Sequence, residues 1–157
     1  MLITDRESPM IAEHDIKCFK VLVEFNSNKF YVCPPAYQYF LQNNIPLIEY
    51  HLNTLYSEES NDFEKDYRKD GTIWEWFFHT FCDIESALDF VDYMDKKLSN
   101  PESTKYPELY KIPDGAKLVI LNARIPKWSL YYEGVYKEIQ SERTYASNKI
   151  IYEKIFK

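Results

Sequence analysis

Glycine is scarce in this chain, with three in 157 residues. Phosphate-cradling loops depend on glycine, because the backbone itself must come close to the phosphates. Neither G-x-G-x-x-G nor G-x-x-x-x-G-K-S/T occurs, so nucleotide binding through such a loop is excluded. Cysteine is sparse too. Cys18, Cys33 and Cys82 are odd in number and form no C-x-x-C pair. That argues against a disulfide framework and for a reducing compartment. Long apolar runs are missing, and none approaches the ~20 residues that a bilayer-spanning helix needs. The N-terminal stretch Met1 to His14 carries acids and lacks the apolar core of a secretory signal. A cytoplasmic protein with no membrane contact is expected. Basic residues are in deficit: 19 Lys and Arg face 25 Asp and Glu, for a net charge of −6. Affinity for nucleic acid is mostly cation–phosphate attraction, so a nucleic-acid partner is not expected.

Aromatic residues are abundant, at 17% with 14 Tyr and 10 Phe. Tyrosine offers a large contact area and a polar tip, and it loses little rotamer entropy. It suits half-buried sheets and interfaces alike. Two readings stay open: selection for contact, or codon bias of an AT-rich genome.

Periodicity supplies the elements. Residues 1–15 read as a loose lead-in, and 16–157 as one domain. Within Ile16 to Phe25, Phe19, Val21, Val23 and Phe25 alternate as in a strand. Asn26-Ser27-Asn28 reads as a turn, with a second strand over Lys29 to Cys33. Pro34-Pro35 ends that strand, and Ala36 to Gln42 reads as a short helical turn. Leu47 to Leu55 reads as a strand, although it alternates poorly. Ser57 to Gly71 holds six acids against three bases and reads as a solvated acidic loop. Thr72 to Phe81 reads as a central strand, with Trp74, Trp76 and Phe78 on one face and Ile73, Phe77 and Phe81 on the other.

Asp83 is a helix N-cap candidate. Ile84, Ala87, Leu88, Val91, Met94 and Leu98 recur at helical spacing after it, which predicts a principal helix over 83–98. Ser99 to Ala116 has three prolines and reads as a long connection with one helical turn. Lys117 to Ile125 reads as a buried strand, with Leu118 and Ile120 facing one way and Val119, Leu121, Ala123 and Ile125 the other. Trp128 to Gln140 reads as irregular chain or a short hairpin around Gly134. Lys149 to Phe156 reads as the closing strand. The predicted fold class is α+β: a mainly antiparallel or mixed sheet packed by one principal helix and one or two short ones.

The candidate sites are few. His79 and Cys82 form an H-x-x-C pair at a strand-to-helix junction, but a metal centre needs further ligands, so none is expected. Cys82 just before a helix start could be a thiolate nucleophile; a small buried thiol is the commoner use of such a residue. Glu133, Glu138, Glu142 and Glu153 could supply carboxylates, with no spacing that makes two converge. Trp128, Tyr131, Tyr132 and Tyr136 lie in a connection rather than a clear core strand. They are the candidate partner-binding residues, and Tyr131 and Tyr132 are expected to be exposed.

Phe78-His79-Thr80-Phe81 running into Asp83-Ile84-Glu85-Ser86-Ala87 is the first of several matching elements. The others are Ile125-Pro126, Tyr131-Tyr132-Glu133-Gly134 and Tyr145-Ala146-Ser147-Asn148-Lys149-Ile150-Ile151. In these the chain resembles a group of uncharacterised proteins from bacteriophages and gut bacteria. The resemblance spans roughly the second half and implies a phage-encoded protein, without implying an activity. A more distant resemblance is to ADP-ribosyltransferase-like folds, which run a strand into such a helix and end on a strand. Their catalytic members carry an early Arg or His and a late E-x-E; here Lys17 and Lys20 occupy the first strand and no E-x-E occurs. If that resemblance extended to NAD chemistry, His79, Tyr145 and Glu133 would be the residues to test. The leading expectation is a non-enzymatic interaction or assembly protein without a cofactor. It would have a protein partner or a second copy of itself, and would work in the host cytoplasm or a virion. The alternatives are a divergent NAD-dependent transferase and a non-catalytic ligand-binding module.

Overall fold

Period-2 apolar runs dominate the chain, and most of them enter a single sheet. The computed structural model describes residues 9–58, 78–136, 139 and 142–157, and the backbone of 2–3. The strands are β1 (Leu2–Ile3), β2 (Met10–Ile11), β3 (Ile16–Glu24), β4 (Phe30–Tyr31), β5 (Leu55–Ser57), β6 (Phe78–Phe81), β7 (Lys117–Ile125), β8 (Leu130–Tyr136), β9 (Arg143–Ser147) and β10 (Lys149–Ile155). Their order is β1-β8-β9-β6-β3-β7-β10-β5, with β2 also on β8 and β4 also on β3. Every pairing among them is antiparallel. Helix α1 (Ala36–Gln42) is short and α2 (Ile84–Ser99) is the principal helix. This is the α+β fold that the periodicity predicts.

The spine is the β3–β7 pair, in register from Ile16↔Ile125 to Glu24↔Lys117. Both strands are buried on two faces. One face holds Cys18, Leu22, Val119, Leu121, Ala123 and Ile125, packed with Phe30, Tyr50 and Tyr152. The other holds Val21 and Ile120 under α2 with Phe81, Ala87, Phe90 and Met94. Complete burial of an aliphatic side chain such as Leu22 or Ile120 contributes roughly 1.5–3 kcal/mol. Asp83 caps α2 as expected, its Oδ1 accepting from the Ser86 N–H at 2.8 Å. The inward stripe differs at one position. Leu88 is 38% exposed, and Phe90 is buried in its place. Positions 87, 90 and 94 share a face, whereas 88 has turned past its edge.

β9 and β10 are separated in sequence only by Asn148, yet β6, β3 and β7 lie between them in the sheet. Laid flat, four strand spacings would be about 19 Å. Ser147 and Lys149 can be at most about 7 Å apart. The sheet must therefore curl, and the curl encloses the first core. Asn148 fixes the corner: its Oδ1 accepts from the Leu130 N–H at 2.9 Å, and its own N–H donates to the Leu130 carbonyl at 3.0 Å.

Four expectations need correction. Leu47 to Leu55 is not a strand; it is a loop with one bridge, Phe30↔Tyr50, and pairing begins only at Leu55. Asn53 takes a positive φ of 57° there, which interrupts an extended run. Gly134 is not at a hairpin tip. It sits inside β8 opposite Thr144, and the chain reverses between Tyr136 and Arg143. The connection 99–116 holds two short 3-10 turns, Pro101–Ser103 and Pro107–Leu109, rather than one helical turn. The lead-in is not all loose, since Leu2–Ile3 and Met10–Ile11 pair with β8. The Asn26-Ser27-Asn28 turn does form, with φ of 57°, 33° and 66°. Most of the acidic loop, and Trp74 and Trp76 of the predicted central strand, lie outside the described residues.

Candidate functional site

Two places gather unusual chemistry. The first is the Pro126–Ser129 turn after β7. Trp128 is 68% exposed and has φ of 73°, a conformation that a bulky L-residue holds only when its surroundings impose it. The imposition is visible. The Lys127 N–H donates to Asp15 Oδ1 at 2.8 Å, and the Trp128 N–H to the Ala12 carbonyl at 2.8 Å. The Ala12 N–H donates to the Ser129 carbonyl at 2.9 Å, and the buried Ser129 hydroxyl to the Pro126 carbonyl at 2.6 Å. The Lys127 amine stands 4.9 Å from the centre of the indole ring. Ile11, 58% exposed, lies on the lead-in strand that flanks this turn. Beside it a depression of about 500 Å³ runs along Pro9, Met10, Glu13 and His14 to Tyr131.

The other predicted contact residues are less available. Tyr132 has no exposed surface, which overturns its expected exposure. Strand alternation is the reason, since it faces inward beside Ala146, its partner on β9. Tyr131 is partly buried, edge-on to Tyr145 at 5.8 Å. Tyr136 is partly buried and packs edge-on against Phe90 of α2 at 5.4 Å.

The second place is a split in the sheet. β6 meets β3 at one pair, Phe19↔Phe81, and β4 takes the same edge of β3 at Val23↔Tyr31. Between them the edge of β3 has no strand partner among the described residues, and side chains serve its neighbourhood. The Lys20 Nζ donates to the His79 carbonyl at 2.7 Å, and the Cys33 Sγ to the Val21 carbonyl at 3.3 Å. A cleft of about 220 Å³ opens there, under Phe90, Tyr93 and Met94 of α2, and reaches Tyr110, Tyr136 and Thr144. Burial pushes the Lys20 amine below the usual lysine pKa, because the charged form loses its water. Among the described residues no carboxylate pairs with Lys20. Thr144 is 2% exposed, and its hydroxyl has no hydrogen-bond partner among the described residues.

The residues suggested by the transferase resemblance do not gather. Glu133 and Tyr145 are cross-strand partners on β8 and β9, and Thr80 continues that row on β6. His79 pairs with Ala146, one position further along, so it leaves the sheet by the opposite face and lines the cleft. Glu133 is engaged by Arg143 Nη2 at 2.7 Å. His79 and Cys82 likewise point to opposite faces, and no three His, Cys, Asp or Glu side chains cluster as a cation site among the described residues. Burial pushes the thiols of Cys18, Cys33 and Cys82 up to about 12. They are neutral thiols, without the lowered pKa of a nucleophile.

Lys20 and Glu142 both lie in environments that disfavour their charged forms; the sequence offers Glu142 only as one of four carboxylates and gives Lys20 no role of its own. Only the oddity of a lysine between the apolar residues Phe19 and Val21 could have flagged Lys20. No helix among the described residues is long and apolar enough to cross a membrane. Comparisons with family models, with curated proteins and with solved structures find no match for this chain.

Proposed function

We propose that this protein is a non-enzymatic interaction module that engages a protein partner, or a second copy of itself, through the Trp128 turn. The observation that carries this reading is a tryptophan held rigidly outward. Trp128 combines 68% exposure with a φ of 73°. A non-glycine residue in that region costs of order 1–3 kcal/mol, so the neighbouring hydrogen bonds are working to keep it there. Binding energy at interfaces concentrates in such aromatic anchors, and a preset anchor loses little entropy on association. Ile11 and the flanking depression extend the apolar surface around it. The net charge of −6 favours a partner with a basic rim. The setting implied by the phage resemblance is the host cytoplasm or an assembled virion.

The test is a photo-cross-linking amino acid placed at position 128 in the intact chain and expressed in the native host. Position 106 serves as control, because Tyr106 is also exposed, at 51%. A discrete adduct from 128 that is absent from 106 supports the reading, and its mass separates a foreign partner from a homodimer. Adduct patterns that are the same from both positions refute it.

A further inference from the structure

We propose that the cleft at the sheet split is a binding site for a small monocarboxylate with an apolar body. In this site Lys20 receives the acid group and Thr144 supplies a second donor. The inference is independent of the Trp128 turn.

Lys20 is a partly buried amine whose acceptor among the described residues is a backbone carbonyl, His79 O at 2.7 Å, and a bound carboxylate would restore the ammonium form that burial disfavours. A charge withdrawn from water is normally paired. The surrounding thiols cannot fill that role, since Cys18 and Cys33 are held in their neutral form by burial. A lysine amine has three donor hydrogens, and the carbonyl uses one. Thr144 adds a buried hydroxyl with no hydrogen-bond partner among the described residues. It sits on the cleft face, directly across from Phe81. Among the described residues the site lacks one negative charge and one acceptor, which fits a carboxylate with two oxygens for the two donors.

Shape selects the remainder of the ligand. The cleft holds about 220 Å³, and its roof is Phe90 and Met94 of α2. A cavity of about 150 Å³ lined by apolar side chains accepts benzene, so this cleft has room for one ring or a short alkyl chain plus the acid. A phosphate ester or a dinucleotide is too large and too highly charged for a single lysine. Acid at the lysine end and hydrocarbon at the α2 end is the chemistry the walls complement.

The experiment is a titration followed by amide NMR, using benzoate as the acid probe and benzamide as its neutral isostere. It is run on the wild-type chain, on Lys20→Met and on Thr144→Val. Methionine keeps most of the lysine stem without its charge, and valine keeps the threonine shape. In the wild type, benzoate is expected to shift the resonances of β6 and α2 and to bind at least about tenfold more tightly than benzamide, a factor within reach of one charge-assisted hydrogen bond. Lys20→Met is expected to erase that preference, and Thr144→Val to weaken benzoate severalfold with little change for benzamide. Equal affinity for acid and amide in the wild type overturns the proposal. So does a benzoate affinity unmoved by both substitutions, or an absence of cleft shifts with benzoate, phenylacetate and hexanoate up to about 10 mM. If Lys20→Met does not fold, the wild-type acid-to-amide ratio and Thr144→Val still decide.

Discussion

Replacing Glu142 with glutamine is expected to stabilise the protein at neutral and alkaline pH while changing little in acid. Glu142 follows the β8–β9 connection, with its carbonyl accepting from the Tyr136 N–H at 2.8 Å. Its side chain has no exposed surface, and its carboxyl stands within hydrogen-bonding reach of the carboxyl of Asp89. Burial first, and then the carboxylates of Asp89 and Asp83, push its pKa from an ordinary 4.5 up to about 7. Below pH 4.5 the group is protonated in both folded and unfolded chains. Between 4.5 and 7 the folded chain keeps a proton that the unfolded chain has released, so stability falls as pH rises. Above about 7 the loss is complete. At roughly 1.4 kcal/mol per tenfold, the full rise corresponds to about 3 kcal/mol. The surroundings relax on ionisation and screen the charge, so that figure is an upper bound and about 1.5 kcal/mol is the expected value. For a domain of this size each kcal/mol moves Tm by about 2–4 °C. The assay is urea unfolding of wild type and Glu142→Gln at pH steps from 4 to 8. The free-energy difference is expected to grow between pH 4.5 and 7 and then level off. Asp89→Asn removes one repelling charge and is expected to shrink the step. A difference between wild type and Glu142→Gln that is flat in pH would refute the reasoning.

Other expectations follow from single contacts. Asp83→Ala removes the cap on the Ser86 N–H and is expected to lower stability by about 1 kcal/mol, read from urea midpoints. Ser27 holds a φ of 33° in the β3–β4 turn, and Ser27→Gly is expected to raise stability by about 0.5–1 kcal/mol by relieving it. The three thiols, all pushed up to about 12, are expected to react with an aromatic disulfide reagent at pH 8 far more slowly than in urea. Rapid labelling of Cys82 in the native state would show that its thiol is not shielded as described.

Legibility differed from one element to the next. β7 was readable to the residue, including which side chains face each core, because a run of alternating aliphatics buried on both sides leaves little freedom of register. α1 and the cap of α2 were readable from local chemistry: the prolines before one and Asp83 before the other. Gly134 misled, because glycine as a turn signal is a statistical cue, and here the residue lies within a paired strand opposite Thr144. Leu88 misled because a helical stripe read from sequence has soft edges. Tyr132 reads as exposed in the sequence, but its strand, once paired with β9, turns it inward. Trp128 is a contact candidate on composition and is exposed in the structure, but nothing local announces its left-handed backbone.

By itself the sequence determined the local periods: where strands alternate, where α2 begins, and that glycine-dependent phosphate binding is absent. Those properties depend on neighbours within a few residues along the chain. Only the tertiary structure decided that β6 and β4 share an edge of β3 and leave a cleft between them. It alone placed Lys20 there with no carboxylate partner among the described residues, brought Glu142 near Asp89, and sent His79 to the face opposite Tyr145. Each of these rests on contacts between residues far apart in the chain, and solvation and charge depend on who the neighbours in space are.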